Sequence, residues 1–161
     1  MTTTSVTVKV AANDKKKLNR TSASLFSSAG FGDMGFESAG FEHLLLCEID
    51  PKRTNFTSVN FPNARVLTTD VAESVDEISS EIQLQLRKEG IDELFLLYAT
   101  PPCQGMSKNG IGTILKAMEE SKRPKVDKRN HLYLPVIDVV KNTLPKWIFL
   151  RMSAGYLILR M

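Results

Sequence analysis

From Ser22 onward, short apolar runs alternate with amphipathic stretches, and this alternation limits the possible folds more than any other feature of the chain. Ala23-Ser24-Leu25-Phe26-Ser27, Leu44-Leu45-Leu46-Cys47-Glu48-Ile49, Arg65-Val66-Leu67-Thr68, the run Leu94-Phe95-Leu96-Leu97-Tyr98-Ala99 and Trp147-Ile148-Phe149-Leu150 read as five strands. A small-residue turn, Ser28-Ala29-Gly30, leads from the first strand into a short helix that runs through Phe36 and ends near Gly40. Pro51 suits the first position of a helix reaching Asn60. Val75, Ile78, Ile82 and Leu86 recur at spacings of three and four, marking one face of a helix closed by Gly90. A further helix is expected over Leu132–Asn142. Continuous apolar strands separated by helices predict an α/β fold, a mostly parallel sheet with helices on both faces. Ligands of such sheets bind where loops leave the carboxyl ends of the strands.

The 161 residues are material for one domain with a real core, and 42% hydrophobic with 24% charged residues is ordinary globular composition. Residues 1–21 read as a polar, basic arm around Asn13-Asp14-Lys15-Lys16-Lys17, residues 22–150 as the folded domain, and residues 151–161 as an atypical tail. Cys47 and Cys103 are far apart and unlike in surroundings, which suits a reducing cytoplasm better than a disulfide framework. No apolar run approaches the length needed to span a bilayer, and the start carries no apolar signal core. Neither a membrane nor a metal is expected as a partner.

The candidate functional residues fall at the strand ends. Glu48-Ile49-Asp50 places acids roughly twenty residues after the small-residue turn, a spacing suited to a carboxylate that accepts from ribose hydroxyls. Asp70, after the third strand, reads either as an acceptor for an adenine amino group or as a helix cap. Pro101-Pro102-Cys103-Gln104 aims a thiol from a loop that two prolines restrict, either as a nucleophile or as a half-buried thiol in a proline turn. Between Gln104 and His131, seven Lys and Arg stand against three acids, a surplus larger than the net +3 of the whole chain. That segment reads as a loop closing on a phosphate backbone or as a plain solvated loop.

Several segments occur in the order found in the DNA cytosine-5 methyltransferases, and from Ser24 to Leu150 the chain resembles that family. They are Leu25-Phe26-Ser27-Ser28-Ala29-Gly30, Glu48-Ile49-Asp50, Asn60-Phe61-Pro62, Asp70-Val71, Pro101-Pro102-Cys103-Gln104-Gly105 with Ser107, Arg129-Asn130-His131-Leu132 and Pro145-Lys146-Trp147. The resemblance implies a Rossmann-like, S-adenosylmethionine-dependent methyltransferase fold, incomplete at the C-terminus. Phe26 and Ile49 would flank the adenine, Glu48 would hold the ribose, and Asp70 would bond the adenine edge. Gly30, Pro101 and Leu132 would line the rest of the pocket. Cys103 would add as a thiolate to C6 of a cytosine flipped out of double-stranded DNA, with Gln104, Ser107 and Lys108 near the DNA. The compact length fits a restriction–modification enzyme. A redox thiol protein would account for Cys103 but for none of its ordered neighbours.

The departures bear on activity. Ser28 and Phe31 stand where the family has glycine, which is tolerable where the backbone is not left-handed. After the fifth strand the family carries Glu-Asn-Val, whose glutamate holds the flipped base; here Arg151-Met152-Ser153 follows Leu150. The chain is therefore expected to be an inactive or partial fragment. As an alternative, it would bind cofactor weakly or pair with a complementary chain of a split methyltransferase. An unprotected edge is expected on the fifth strand, which Tyr156-Leu157-Ile158-Leu159 could cover. Glu-Asn-Val written GAG-AAT-GTC and read one base later becomes AGA-ATG-TC, which is Arg-Met-Ser. A frameshift just before Arg151 is the expectation, against a genuinely divergent tail. Nucleotide sequencing across Leu150 checks it: Glu-Asn-Val should appear in the neighbouring frame, and its absence leaves the divergent tail.

Overall fold

The computed structural model of the chain describes residues 20–102, 131–152 and 155–160. In these residues strands and helices alternate as β1 (Thr21–Leu25), α1 (Phe31–Ser38), β2 (Glu42–Glu48), α2 (Pro51–Asn60), β3 (Arg65–Thr68), α3 (Val75–Glu89), β4 (Leu96–Ala99), α4 (Tyr133–Thr143), β5 (Trp147–Met152) and β6 (Gly155–Arg160). They form one sheet in the order β3-β2-β1-β4-β5-β6, parallel except for β6. No helix among the described residues is long and apolar enough to cross a membrane.

Local chemistry explains most boundaries. Pro51 sits in the first turn of α2, and the Asp50 side chain accepts from Lys52 N at 2.9 Å, satisfying a donor the helix leaves free. In α3, Asp76 and Glu77 lie in the first turn and Arg87 and Lys88 in the last, matching the helix dipole. β1 begins two residues before the expected strand and stops before Phe26, because the backbone turns left-handed there (φ 59°). Thr21, the last residue of the expected arm, is buried in the sheet.

Strand order and right-handed crossovers put α1 and α2 on one face and α3 and α4 on the other. The two faces differ chemically. Ala23 and Leu25 of β1, Leu45 and Cys47 of β2, and Leu97 and Ala99 of β4 pack with Ile78, Ile82 and Leu86 of α3 and Val136, Val139 and Val140 of α4. Each fully buried aliphatic side chain there contributes roughly 1.5–3 kcal/mol.

The opposite face is polar and aromatic. His43 Nδ1 meets Ser22 Oγ at 2.7 Å, and His43 Nε2 meets the Asp33 carbonyl at 2.9 Å. The rings of Phe36, Tyr98 and Phe149 cluster with centroids 4.8–6.1 Å apart. Gly32 is required at this contact, since a Cβ there would lie 2.6 Å from the Tyr98 hydroxyl. Asp33 is fully buried, and among the described residues neither its carboxyl oxygens nor the nearby Ser24 hydroxyl makes a well-formed hydrogen bond. Burial pushes the Asp33 carboxyl above the usual range, against the smaller opposing pull of Ser24 and His43.

The edge expected on β5 is covered. β6 pairs antiparallel along β5, from Trp147 opposite Arg160 to Met152 opposite Gly155. Leu157, Ile158 and Leu159 remain half exposed, so the open edge has moved outward by one strand.

The Asp33 shift has a definite linkage. The folded state holds that proton more tightly than the unfolded chain, so stability is full below the ordinary carboxylate pKa and falls as pH rises towards the raised value. Urea melts across pH 4–8 should show this decline in the wild type and lose it in Asp33→Asn. At pH 8 that variant should be more stable by about 1 kcal/mol.

Candidate functional site

The parallel register brings the strand ends into step. Leu25 lies opposite Cys47 on one side and Ala99 on the other, and Cys47 lies opposite Leu67. Phe26, Glu48 and Thr100 follow directly, and Thr69 one residue after the last position of β3, so all four emerge along one rim, where strand order reverses between β1 and β4. A cavity of about 770 Å³ opens on this rim, within the range of ligand sites.

Phe26, Glu48, Ile49, Asp70 and Leu132 all line it. Glu48 is buried, yet its carboxylate reaches the cavity: Oε2 accepts from Ser28 N at 2.8 Å and Oε1 from Asp50 N at 3.1 Å. Two bonds use about half of a carboxylate's acceptor sites, so Glu48 keeps capacity for a ligand. Arg53 stands at the mouth, 3.9 Å from Glu48 Oε1 and 3.6 Å from Asp50 Oδ2. Asp70 Oδ1 accepts from Ala72 N at 2.9 Å, while the residue capping α3 is Ser74. Asp70 thus steadies a turn and still faces the cavity.

Two residues named from the resemblance do not line it. Gly30 lies behind, at φ 82°, where a Cβ would meet the Phe61 ring at 2.6 Å; its place is fixed by packing. Pro101 is buried, and Pro102 takes the lining position. Cys103, Gln104, Ser107 and Lys108 lie outside the described residues. The other thiol, Cys47, is buried, with Sγ 3.8 Å from the Thr69 carbonyl. Burial, then the charges of Glu48, Glu77 and Asp70, push it up to about 12, so it forms no thiolate near neutral pH.

Ser28, Arg53, Thr69, Val71, Thr100, Pro102, His131 and Pro135 also line the cavity, none of them singled out as a site residue. Their signal was position: most stand within a few residues of a strand end.

The turn at Phe26–Ser28 is strained. Phe26 (φ 59°) and Ser28 (φ 53°) both adopt the left-handed region, so the condition under which serine would replace glycine freely is not met. Phe31, by contrast, starts α1 in ordinary helical backbone. Tethers hold the turn: Thr100 Oγ1 donates to the Phe26 carbonyl at 3.1 Å, Glu48 receives Ser28 N, and Thr57 Oγ1 reaches the Ser28 carbonyl at 3.2 Å. Ser28→Gly should raise stability by about 0.5–1 kcal/mol, the left-handed penalty less the added freedom of the unfolded chain. Thermal melts check this; an unchanged or lower melting temperature contradicts it.

The sequence profile of the C-5 cytosine-specific DNA methylases matches residues 21–151. The chain is 34% identical over 123 residues to the type II methyltransferase M1.HphI of Haemophilus parahaemolyticus, covering 76% of this chain and 29% of that protein. It is equally similar, over 123 residues, to M.AquIA of Picosynechococcus, of which it spans 44%. The chain thus spans less than half the length of these relatives. Among solved structures, a chain from an E. coli prophage assigned as a DNA modification methyltransferase superposes with a TM-score of 0.58 at 25% identity, covering 81% of this chain and 31% of that one. Spodoptera frugiperda DNMT2, at 17% identity, shares the fold with a TM-score of 0.51, over 81% of this chain and 34% of that one.

Proposed function

This chain belongs to the C-5 cytosine-specific DNA methylase family, and from that premise we propose that it is the cofactor-binding, nucleophile-bearing portion of a DNA cytosine-5 methyltransferase. The observation that carries the reading is the cavity at the ends of β1–β4, lined by apolar side chains and by the three carboxylates Glu48, Asp70 and Glu73. Its residues fit S-adenosylmethionine. Phe26 offers a flat ring and the exposed Ile49 an aliphatic side chain against an adenine, Glu48 has free acceptor sites for ribose hydroxyls, and Asp70 faces the same space. Gly30 and Pro101 do not line this cavity.

When bound, S-adenosylmethionine supplies a methyl group on a positively charged sulfur, a strong electrophile. The chain's part is to make cytosine C5 nucleophilic enough to take that methyl. Cys103 follows Pro102, which lines the cavity. As a thiolate it forms a bond to C6 of a cytosine extruded from double-stranded DNA, and the pair of electrons displaced to C5 accepts the methyl. Loss of the C5 proton then returns electrons to the ring and expels the thiolate. A thiolate both attacks and leaves well, as serine does not. Gln104, Ser107 and Lys108 would contact the DNA beside the extruded base.

Where the family carries its glutamate this chain has Arg151, exposed near the end of β5. Losing an acid–base group of that kind costs about 10²–10⁴-fold. Methyl transfer to DNA by this chain alone should therefore be negligible, and incorporation of labelled methyl groups at a full-length relative's rate would contradict that.

A second reading has its own support. The chain spans 29% and 44% of two relatives, and β6 leaves an edge with Leu157, Ile158 and Leu159 half exposed. On this reading it is a non-catalytic fragment that binds cofactor weakly or pairs with a complementary methyltransferase chain. A downstream reading frame encoding the remainder would favour the split enzyme.

The cofactor assignment is tested by calorimetric titration with S-adenosylhomocysteine, the stable product form. Wild type should bind, and Glu48→Gln should bind about tenfold more weakly, as expected for a weakened charged hydrogen bond. No binding by wild type at millimolar ligand would overturn the assignment.

A further inference from the structure

Thr100 ends the β4 ladder with its amide donating to the Leu25 carbonyl at 3.2 Å, and its hydroxyl then donates to the next carbonyl, that of Phe26, at 3.1 Å. The second bond is not part of any sheet ladder. It falls on a non-glycine residue held at φ 59°, whose ring forms a wall of the cavity. A left-handed phenylalanine persists only where its surroundings hold it. The neighbouring Ser28 has two tethers of its own, from Glu48 and Thr57, whereas the tether on Phe26 comes from Thr100.

We infer that Thr100 is a positioning residue for the cofactor: its hydroxyl fixes the left-handed Phe26 backbone and thereby holds the ring against the ligand. The role rests on the cofactor reading above. Thr100 itself lines the cavity two residues before Pro102, so one hydroxyl ties the cofactor turn to the strand that leads into the Pro-Pro-Cys loop. Valine would keep the shape and the β-branch while removing the donor, leaving the Phe26 carbonyl without its partner. The turn would then relax towards ordinary extended backbone and carry the ring off the cavity wall.

The test uses the full chain and S-adenosylhomocysteine. Thr100→Val should weaken binding about tenfold, the usual scale for a lost, partly buried hydrogen bond. Thr100→Ser, which keeps the donor, should bind within about twofold of wild type. Thr100→Cys, a weaker donor of similar size, should fall between them and serves if the valine variant folds poorly. In a Phe26→Ala background the Thr100→Val change should cost nothing further, because the residue it positions is gone. Amide exchange at Ser27 and Ser28 in the ligand-free chain should be faster in Thr100→Val. Wild-type binding by Thr100→Val, or an undiminished loss in the Phe26→Ala background, overturns the role. If wild type binds no ligand, the cofactor reading fails and the positioning role with it. The exchange data then still report whether the tether exists.

Discussion

Parallel pairing of β1 on both sides is the constraint on which the rest of the molecule depends. With Leu25 opposite both Cys47 and Ala99, the three central strands end level, and the chain direction away from the sheet changes hand between β1 and β4. A cavity follows from that geometry alone, because the loops after neighbouring strands part company there. Sequence then decides what the cavity contains: a ring after β1, a carboxylate from β2, others after β3 and a hydroxyl after β4. A slip of one residue in any of these ladders would turn the same side chains to the opposite face.

The sheet divides its labour between faces. The α3–α4 side is an aliphatic core and supplies most of the burial. The α1 side carries Ser22, Ser24, Asp33, His43 and Tyr98, and is held as much by specific contacts as by area. Tyr98 belongs to both the aromatic cluster and the buried polar group. Burial first, then the charge of Asp33, raise its hydroxyl above the ordinary value. Such a face tolerates substitution less well than an aliphatic one, because a buried polar group that loses its partner keeps its desolvation cost.

Much of this was legible in the sequence where local chemistry acts alone. Pro51 and Asp50 fix the start of α2, and the spacing of Ile78, Ile82 and Leu86 fixes the buried face of α3. The start of β1 is hidden in the sequence because Thr21 and Ser22 look like exposed polar residues and are buried by their neighbours in the sheet. The tail sequence alone does not specify β6, because pairing with β5 makes it a strand. In the site, acids at strand ends were readable from spacing, and five of the seven cofactor residues named from the resemblance line the cavity. Gly30 and Pro101 do not: the adjacent Pro102 takes the lining position, and Gly30 sits against the Phe61 ring. Thr100 carried no motif; its importance comes from the carbonyl it meets across 74 residues of sequence.

β6 also changes how the sheet is assembled in time. β1 must find β4 across a long stretch of chain, Ser22 against Leu96, whereas β5 and β6 close between Met152 and Gly155. Loop-closure entropy makes the first kind of pairing slow and the second fast, with hairpins forming in roughly 1–10 μs. The β5–β6 hairpin can therefore exist before the parallel sheet does. It then joins β4 as a preformed two-stranded unit, with one edge of β5 already occupied while the slower pairings are still being made.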